Sequence, residues 1–179
     1  MLGCRPPSQI LGTPESDTLD GTDGDDTIQG RDGDDTLRGL GGNDYLNGNV
    51  GADTLNGNEG RDAVHGGAGD DIVRGGAGAD LLVGGGGNDQ LFGDKGNDRL
   101  IGHEGDDFID GGEDDDRYMI DGLGNDIFHD LGGNDAARCV PGVKVLSDTF
   151  EGGDRLLVLS TGGTVRIVDN SVETVLGCH

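Results

Sequence analysis

Aspartate stands at Asp17, Asp26, Asp35, Asp44, Asp53, Asp62, Asp71, Asp80, Asp89, Asp98, Asp107 and Asp116, a spacing of nine with no member missing. A carboxylate series of this kind can transfer protons, bind cations, or simply solvate a surface. Acid–base or nucleophilic catalysis needs a partner group within hydrogen-bond reach. The motifs that would supply one are absent: the serines lie in no Gly-x-Ser-x-Gly context, and His103-Glu104 is not followed by a second histidine at metalloprotease spacing. The acids therefore read as cation ligands rather than as an enzyme's active site.

Each aspartate sits five residues after a glycine, and these glycines run from Gly12 to Gly111 at the same spacing of nine. With that glycine as position one, position four is also glycine except at Glu15 and Asp114, and position six is the aspartate. Position eight is apolar throughout, from Leu19 and Ile28 to Ile109 and Tyr118. Glycine at positions one and four supplies positive φ or close approach, so positions one to six predict a tight turn. Positions seven to nine are left for a short strand. Such a strand cannot fold alone, but two units make an eighteen-residue coil, and stacked coils bury position eight between two parallel sheets. Unit n then lies over unit n+2, and the aspartates form a column along each edge at a strand spacing of about 4.8 Å. The predicted fold class is all-β: a parallel β-roll, or β-solenoid, of eighteen-residue coils.

Composition agrees with a cation-filled coil. The chain carries 36 acidic and 12 basic residues, a net charge of -24, with 39 glycines among 179 residues. That balance disfavours nucleic acid or an anionic membrane surface as partner, and no apolar run is long enough for a transmembrane span. Calcium accepts six to eight oxygens in a tolerant geometry, which stacked carboxylates and turn carbonyls provide. Magnesium demands near-ideal octahedra, and zinc prefers the Cys and His that the loops lack. Twelve units give ten stacked pairs and so up to about ten calcium ions, whose charge of about +20 would offset most of the -24.

The pattern G-G-x-G-x-D-x-U-x is met by Gly66-Gly67-Ala68-Gly69-Asp70-Asp71-Ile72-Val73-Arg74. The chain here resembles the calcium-binding nonapeptide repeats of the repeats-in-toxin (RTX) family. The resemblance implies a parallel β-roll with calcium between stacked turns, belonging to a secreted, extracellular bacterial protein and structural or secretion-linked in role. An upstream domain of a larger protein is a further implied partner. A calcium-dependent polysaccharide-binding module accompanying a secreted enzyme is the alternative, for which Arg38, Asn56 and Arg74 at position nine are the candidate contacts.

Residues 1–11 read as an N-terminal tail, 12–119 as the regular roll, 120–138 as its degenerate continuation, and 139–179 as a C-terminal capping segment. Ile120 breaks the register. After it Asp126 joins the candidate metal ligands, while Asp126 and Asp135 either continue the ladders or cap turns as Asx residues. Leu156–Leu159 and Thr164–Val168 flank Gly162-Gly163 and predict a hairpin. Cys139 and Cys178 are expected to form a disulfide with Cys4 left free, the competing reading being three independent thiols. His65 and His129 fall at outward position nine and read as solvated surface. On the outside of one sheet Val83, Ile101 and Met119 recur at spacing eighteen with Leu81 nearby, an apolar column that Val140–Leu176 is expected to cover, with a homodimer contact as runner-up.

Overall fold

The computed structural model describes residues 8–129, 132–151, 154–168 and 174–176. Two sheets face each other. The nine-stranded sheet runs β1 (Ser8–Leu11), β3 (Asp26–Asp32), β5 (Tyr45–Val50), β7 (Ala63–Ala68), β9 (Leu81–Gly86), β11 (Arg99–Glu104), β13 (Arg117–Ile120), β15 (Ala136–Cys139) and β19 (Thr174–Leu176). The ten-stranded sheet runs β2 (Thr18–Thr22), β4 (Thr36–Gly41), β6 (Thr54–Glu59), β8 (Ile72–Ala77), β10 (Gln90–Lys95), β12 (Phe108–Asp110), β14 (Asn125–His129), β18 (Thr164–Ile167), β17 (Asp154–Leu159) and β16 (Val145–Glu151). From β1 to β13 the chain alternates between the sheets, and each strand pairs in parallel with the strand eighteen residues on, as Leu46 with Val64 and Leu55 with Val73. The fold is the β-roll that the nine-residue period predicts.

Strands are longer than the spacing predicts. Strands β4 to β11 each run six residues, from position seven through position three of the next unit, and only positions four to six form the turn. The reason lies in two corners. Position two takes positive φ, which Leu40 (78°), Asn49 (78°) and Asn58 (74°) adopt without being glycine, and position four takes it again at Gly51 (140°) and Gly60 (133°). Between the corners the ladder resumes, as in Asn49 with Gly67 and Val50 with Ala68.

The core is one residue deep on each side. Ile28, Leu37, Leu46, Leu55, Val64, Val73, Leu82, Leu91 and Leu100 are all completely buried, whereas Ile10 and Leu19 in the first coil are only partly so. Each coil thus contributes two apolar side chains, too few to offset the conformational entropy of eighteen ordered residues. Other interactions must contribute to the stability of the roll.

The register change at Ile120 is absorbed inward. Ile120 is fully buried, and beyond it partners are separated by nineteen residues, as Phe108 with Ile127 and Arg117 with Ala136. Here the core turns aromatic: Tyr118 stacks on Phe128 with centroids 4.9 Å apart. The Tyr118 hydroxyl accepts from the Gly111 N–H (2.9 Å) and donates to the His129 carbonyl (3.1 Å), satisfying its polar end inside the core.

The predicted hairpin is present, with β17 antiparallel to β18 and β18 parallel to β14. Among the described residues the expected cover over Val83, Ile101 and Met119 is not. These residues do pair in one outward column on β9, β11 and β13. However, β16–β18 extend the opposite sheet and β19 extends the end of this one beside β15, so the C-terminal strands prolong the stack instead of lying over its face. Backbone pairing explains the choice: the last coil offers unpaired strand edges, and edge pairing satisfies peptide groups that an outer face does not.

Cys139, buried in β15, is disulfide-bonded, which overturns the reading of three independent thiols; its expected partner Cys178 and the other cysteine, Cys4, lie outside the described residues. Cys139→Ser is expected to cost about 2–4 kcal/mol of calcium-loaded stability while leaving the number of bound ions unchanged. Denaturant unfolding and calorimetry on the same variant check both halves.

Candidate metal centre

Every position-six aspartate from Asp26 to Asp116 is at most 3% exposed. One oxygen of each has a defined structural task. Asp44 Oδ1 accepts from the Asp26 N–H (2.7 Å), Asp53 Oδ1 from Asp35 (2.7 Å), Asp62 Oδ1 from Asp44 (2.7 Å) and Asp80 Oδ1 from Asp62 (2.8 Å). Each aspartate thus satisfies the backbone of the aspartate eighteen residues earlier. The other oxygen does not share in this. Oδ2 of Asp35, Asp44, Asp53, Asp62, Asp71, Asp80, Asp89, Asp98 and Asp107 is buried with no hydrogen-bond partner. A buried carboxylate oxygen in that condition costs several kcal/mol unless something else meets it.

The position-one glycines reveal what surrounds that oxygen. A Cβ on Gly48 would fall against Asp53 Oδ2 and 2.6 Å from the Gly66 carbonyl oxygen. At Gly57 the same point is bounded by Asp62 Oδ2 and the Gly75 carbonyl (2.7 Å), and at Gly66 by Asp71 Oδ2 and the Gly84 carbonyl (2.8 Å). Position one is glycine because a carboxylate of its own unit and a carbonyl of the next coil converge on the space a side chain would fill. Among the described residues no three Asp, Glu, His or Cys side chains gather at one point. A cation in this cradle must therefore combine carboxylate with backbone carbonyl oxygens, a donor set suited to a hard divalent ion and unsuited to zinc.

Burial pushes these acids toward the protonated form. It holds Asp44, Asp53, Asp62 and Asp89 up at about 6, Asp71 at about 7, and Asp98 and Asp126 at about 8, with neighbouring carboxylates adding to the rise. Hydrogen bonds from the backbone of the aspartate below oppose it. The sign follows directly. Folded values above the ordinary carboxylate value near 3.8 stabilise the metal-free roll at low pH, and that contribution is lost as pH rises through about 6 to 8. Cation binding demands the ionised form, so the cation concentration at the folding midpoint is expected to rise at least tenfold on going from pH 8 to pH 5.5. Titrations followed by circular dichroism at the two pH values check this.

The first two rungs differ. Asp17 Oδ2 accepts from Thr13 N–H (2.6 Å) and Oγ1 (2.9 Å), and Asp26 Oδ2 accepts from the Thr22 N–H. Burial works against ionisation at Asp26, but hydrogen bonds from Thr22 and Ser8 outweigh it and lower its pKa. At the far end the open choice for the degenerate units is resolved. Asp126 Oδ1 and Asp135 Oδ1 accept from the N–H groups of Asp107 (3.3 Å) and Asp116 (2.9 Å), so both continue the ladders.

A second ladder, at position five, went unread in the sequence. Asp25 Oδ1 accepts from the Asn43 N–H (2.7 Å), Asn43 Oδ1 from Arg61 (3.0 Å), Asp70 Oδ1 from Asn88 (2.7 Å) and Asn88 Oδ1 from Asp106 (2.8 Å). It runs opposite in sense, each side chain serving the coil after it. Its signal was the recurrence of Asp and Asn directly before the position-six aspartate, masked by Ala52, Arg61 and Ala79.

Outward residues also depart from expectation. His129 is not plain solvated surface: its Nδ1 lies 3.1 Å from Asp110 Oδ2 and its ring stacks near Phe108. His65 is half-buried beside Tyr45. Arg38, Asn56 and Arg74 do form one column, but Arg38 pairs with Asp20 (3.1 Å), and Arg74 lies 3.5 Å from Asp94 and 4.2 Å from the Phe92 ring centroid. Both guanidinium groups already have anionic partners within the chain.

Residues 11–46, 47–82 and 83–118 match the family described as RTX calcium-binding nonapeptide repeat (4 copies). No curated protein matches in sequence. Among solved structures, the extracellular lipase LipA from Serratia marcescens is similar over 97% of this chain at 21% identity and a TM-score of 0.43. The chain spans 40% of that lipase chain's length. No helix among the described residues is long and apolar enough to cross a membrane. With the glycine frame, the aspartate ladder and the family match all in register over more than half its length, the chain belongs to the RTX calcium-binding nonapeptide repeat family.

Proposed function

We propose that this chain is a structural module that folds on binding several calcium ions outside the cytosol, as the non-catalytic part of an exported bacterial protein. The observation that carries the reading is the repeated buried Oδ2 without a hydrogen-bond partner, set against a glycine carbonyl of the next coil. Asp35, Asp44, Asp53, Asp62, Asp71, Asp80, Asp89, Asp98 and Asp107 are the proposed ligands, with Asp116 and Asp126 continuing the columns. Asp17 and Asp26 remain members of the ladder, but their second oxygens already have Thr13 and Thr22 as donors, which lowers the expected stoichiometry below ten. Bound calcium supplies positive charge between carboxylates that otherwise repel. The chain's own residues do the remaining work: the Oδ1 oxygens fix coil spacing, and the position-one glycines keep the cradle open.

The affinity range of extracellular calcium modules supports the location outside the cytosol. Calcium modules of this kind function at about 10⁻⁴ to 10⁻³ M, above cytosolic and near extracellular concentrations. The alternative of a calcium-dependent polysaccharide-binding module has less support, since Arg38 and Arg74 each have a carboxylate within reach, at 3.1 and 3.5 Å. Isothermal calorimetry tests the main reading. Calcium is expected to bind to a defined stoichiometry with folding heat, and magnesium at the same concentration to give little of either. Equal responses to both ions would overturn it.

A further inference from the structure

The nine-stranded sheet carries a cluster of basic side chains that calcium binding does not use. In the outward position-seven column, Leu81, Arg99 and Arg117 are ladder neighbours on β9, β11 and β13. Along the adjoining edge the position-five ladder stops at Arg61, whose N–H bonds to Asn43 but whose guanidinium has no acceptor for the next coil, and Ala79 beyond it has no polar side chain to resume it. A cavity of about 320 Å³ lies here, lined by Arg61, Arg99, Arg117 and Asn97 around Ala79 and Leu81. Asp80 also borders it, but its Oδ1 accepts from the Asp62 N–H and the residue is 2% exposed.

None of the three arginines has a carboxylate oxygen within 4 Å among the described residues, although Arg61 lies in the field of Asp80 and Arg117 in that of Asp115. Three guanidinium groups on one cavity form a natural seat for an oxyanion, which they can meet with paired N–H donors. Two residues further along the same strands, on the same face and about 7 Å away, runs the column Val83, Ile101 and Met119. Among the described residues no C-terminal strand lies over it.

We propose that Arg61, Arg99 and Arg117 bind the oxyanion head of a single-chain anionic amphiphile whose alkyl chain lies along Val83, Ile101 and Met119. Basic and apolar rows side by side fit a ligand with the same division. Calcium offsets part of the -24, but exposed acids outside the ladder such as Asp23, Glu59, Glu104 and Glu113 keep their charge, so an extended polyanion or an anionic bilayer meets carboxylates beyond the arginines. A monomeric ligand with one charged head interacts mainly within the screening length of about 8 Å, where the arginines dominate.

The test uses the full chain in millimolar calcium and octanesulfonate, whose calcium salt is soluble, well below its micelle concentration. Methanesulfonate supplies the head alone and octanol the tail alone. Octanesulfonate is expected to saturate one site in calorimetry, at least tenfold more tightly than either half-probe. R99Q/R117Q is expected to weaken octanesulfonate at least tenfold and leave octanol unchanged, and A79N, which refills the position-five gap, is expected to abolish binding. Circular dichroism with and without calcium reports folding separately, and R61Q in the exposed turn stands in should the double variant not fold. If the chain proves folded without calcium, the same titration in chelator keeps the two readings apart. Octanesulfonate binding no tighter than octanol, or unaffected by the arginine substitutions, overturns the proposal. So does sedimentation showing a dimer that I101Q dissociates, which would make a second copy the occupant of this face.

Discussion

In chelator the chain is expected to lose most of its far-ultraviolet β signal and to expand, and in millimolar calcium to recover both in one cooperative transition. The physical case rests on two features of the coil. Each turn of the roll buries only two apolar side chains, and every coil between Asp35 and Asp107 encloses carboxylate oxygens that no protein donor meets. Without a cation, the inner columns can remain folded only by taking up protons, which at neutral pH is incomplete for Asp44, Asp53, Asp62 and Asp89, held up only to about 6. Each strand pairs with the coils before and after it, so sites fill and strands order together. Circular dichroism and small-angle scattering across a calcium titration check this. The same β content and radius in chelator as in calcium would rule the idea out.

The second large effect is positional. Asp62→Ala is expected to remove ions from the cradles on both sides of its coil and to raise the calcium midpoint several-fold. It also strips the Asp44 N–H of its acceptor, a buried loss of about 1–3 kcal/mol. Asp17→Ala at the open end is expected to lose no more than one ion, because Thr13 already occupies its Oδ2. In chelator the order reverses: removing the buried Asp62 carboxylate relieves a desolvated charge, and the residual structure of that variant should equal or exceed that of the unsubstituted chain. Calorimetric stoichiometries of the two variants decide the matter, and equal loss at both positions would contradict the ladder.

Much of this architecture is legible in the sequence because the repeat is one-dimensional. A period of nine with an apolar position eight and an aspartate at six leaves little choice about what points inward and what lies above what. The Gly162-Gly163 hairpin is equally plain. Other features depend on backbone satisfaction that side-chain patterning does not encode. Arg31, Leu40 and His103 take positive φ at position two although their types argue against it. Thr13 and Thr22, the hydroxyl residues at position two, lack the positive φ of the later units, and their N–H groups meet the first two rungs. The destination of the C-terminal strands was misread because their apolar character suggested a face to cover, whereas unpaired peptide groups at the end of the stack were the stronger attraction.

The eighteen-residue ladder spacing bears on how such a rod changes length. Deleting one complete nonapeptide from its middle would leave every aspartate at position six and every Leu or Val inward, so the core would close again. Everything downstream would nevertheless be turned by half a revolution about the long axis, joining the column of Val83 and Ile101 to that of Arg38 and Asn56 instead of Asn47 and His65. Deleting two units would restore the original facing and shorten the rod by one strand spacing, about 4.8 Å. The parity of the repeat number therefore sets the direction in which the C-terminal strands point relative to whatever precedes β1, and the repeat number itself sets the distance. Gain or loss of single units is a rotary adjustment that the calcium columns do not register.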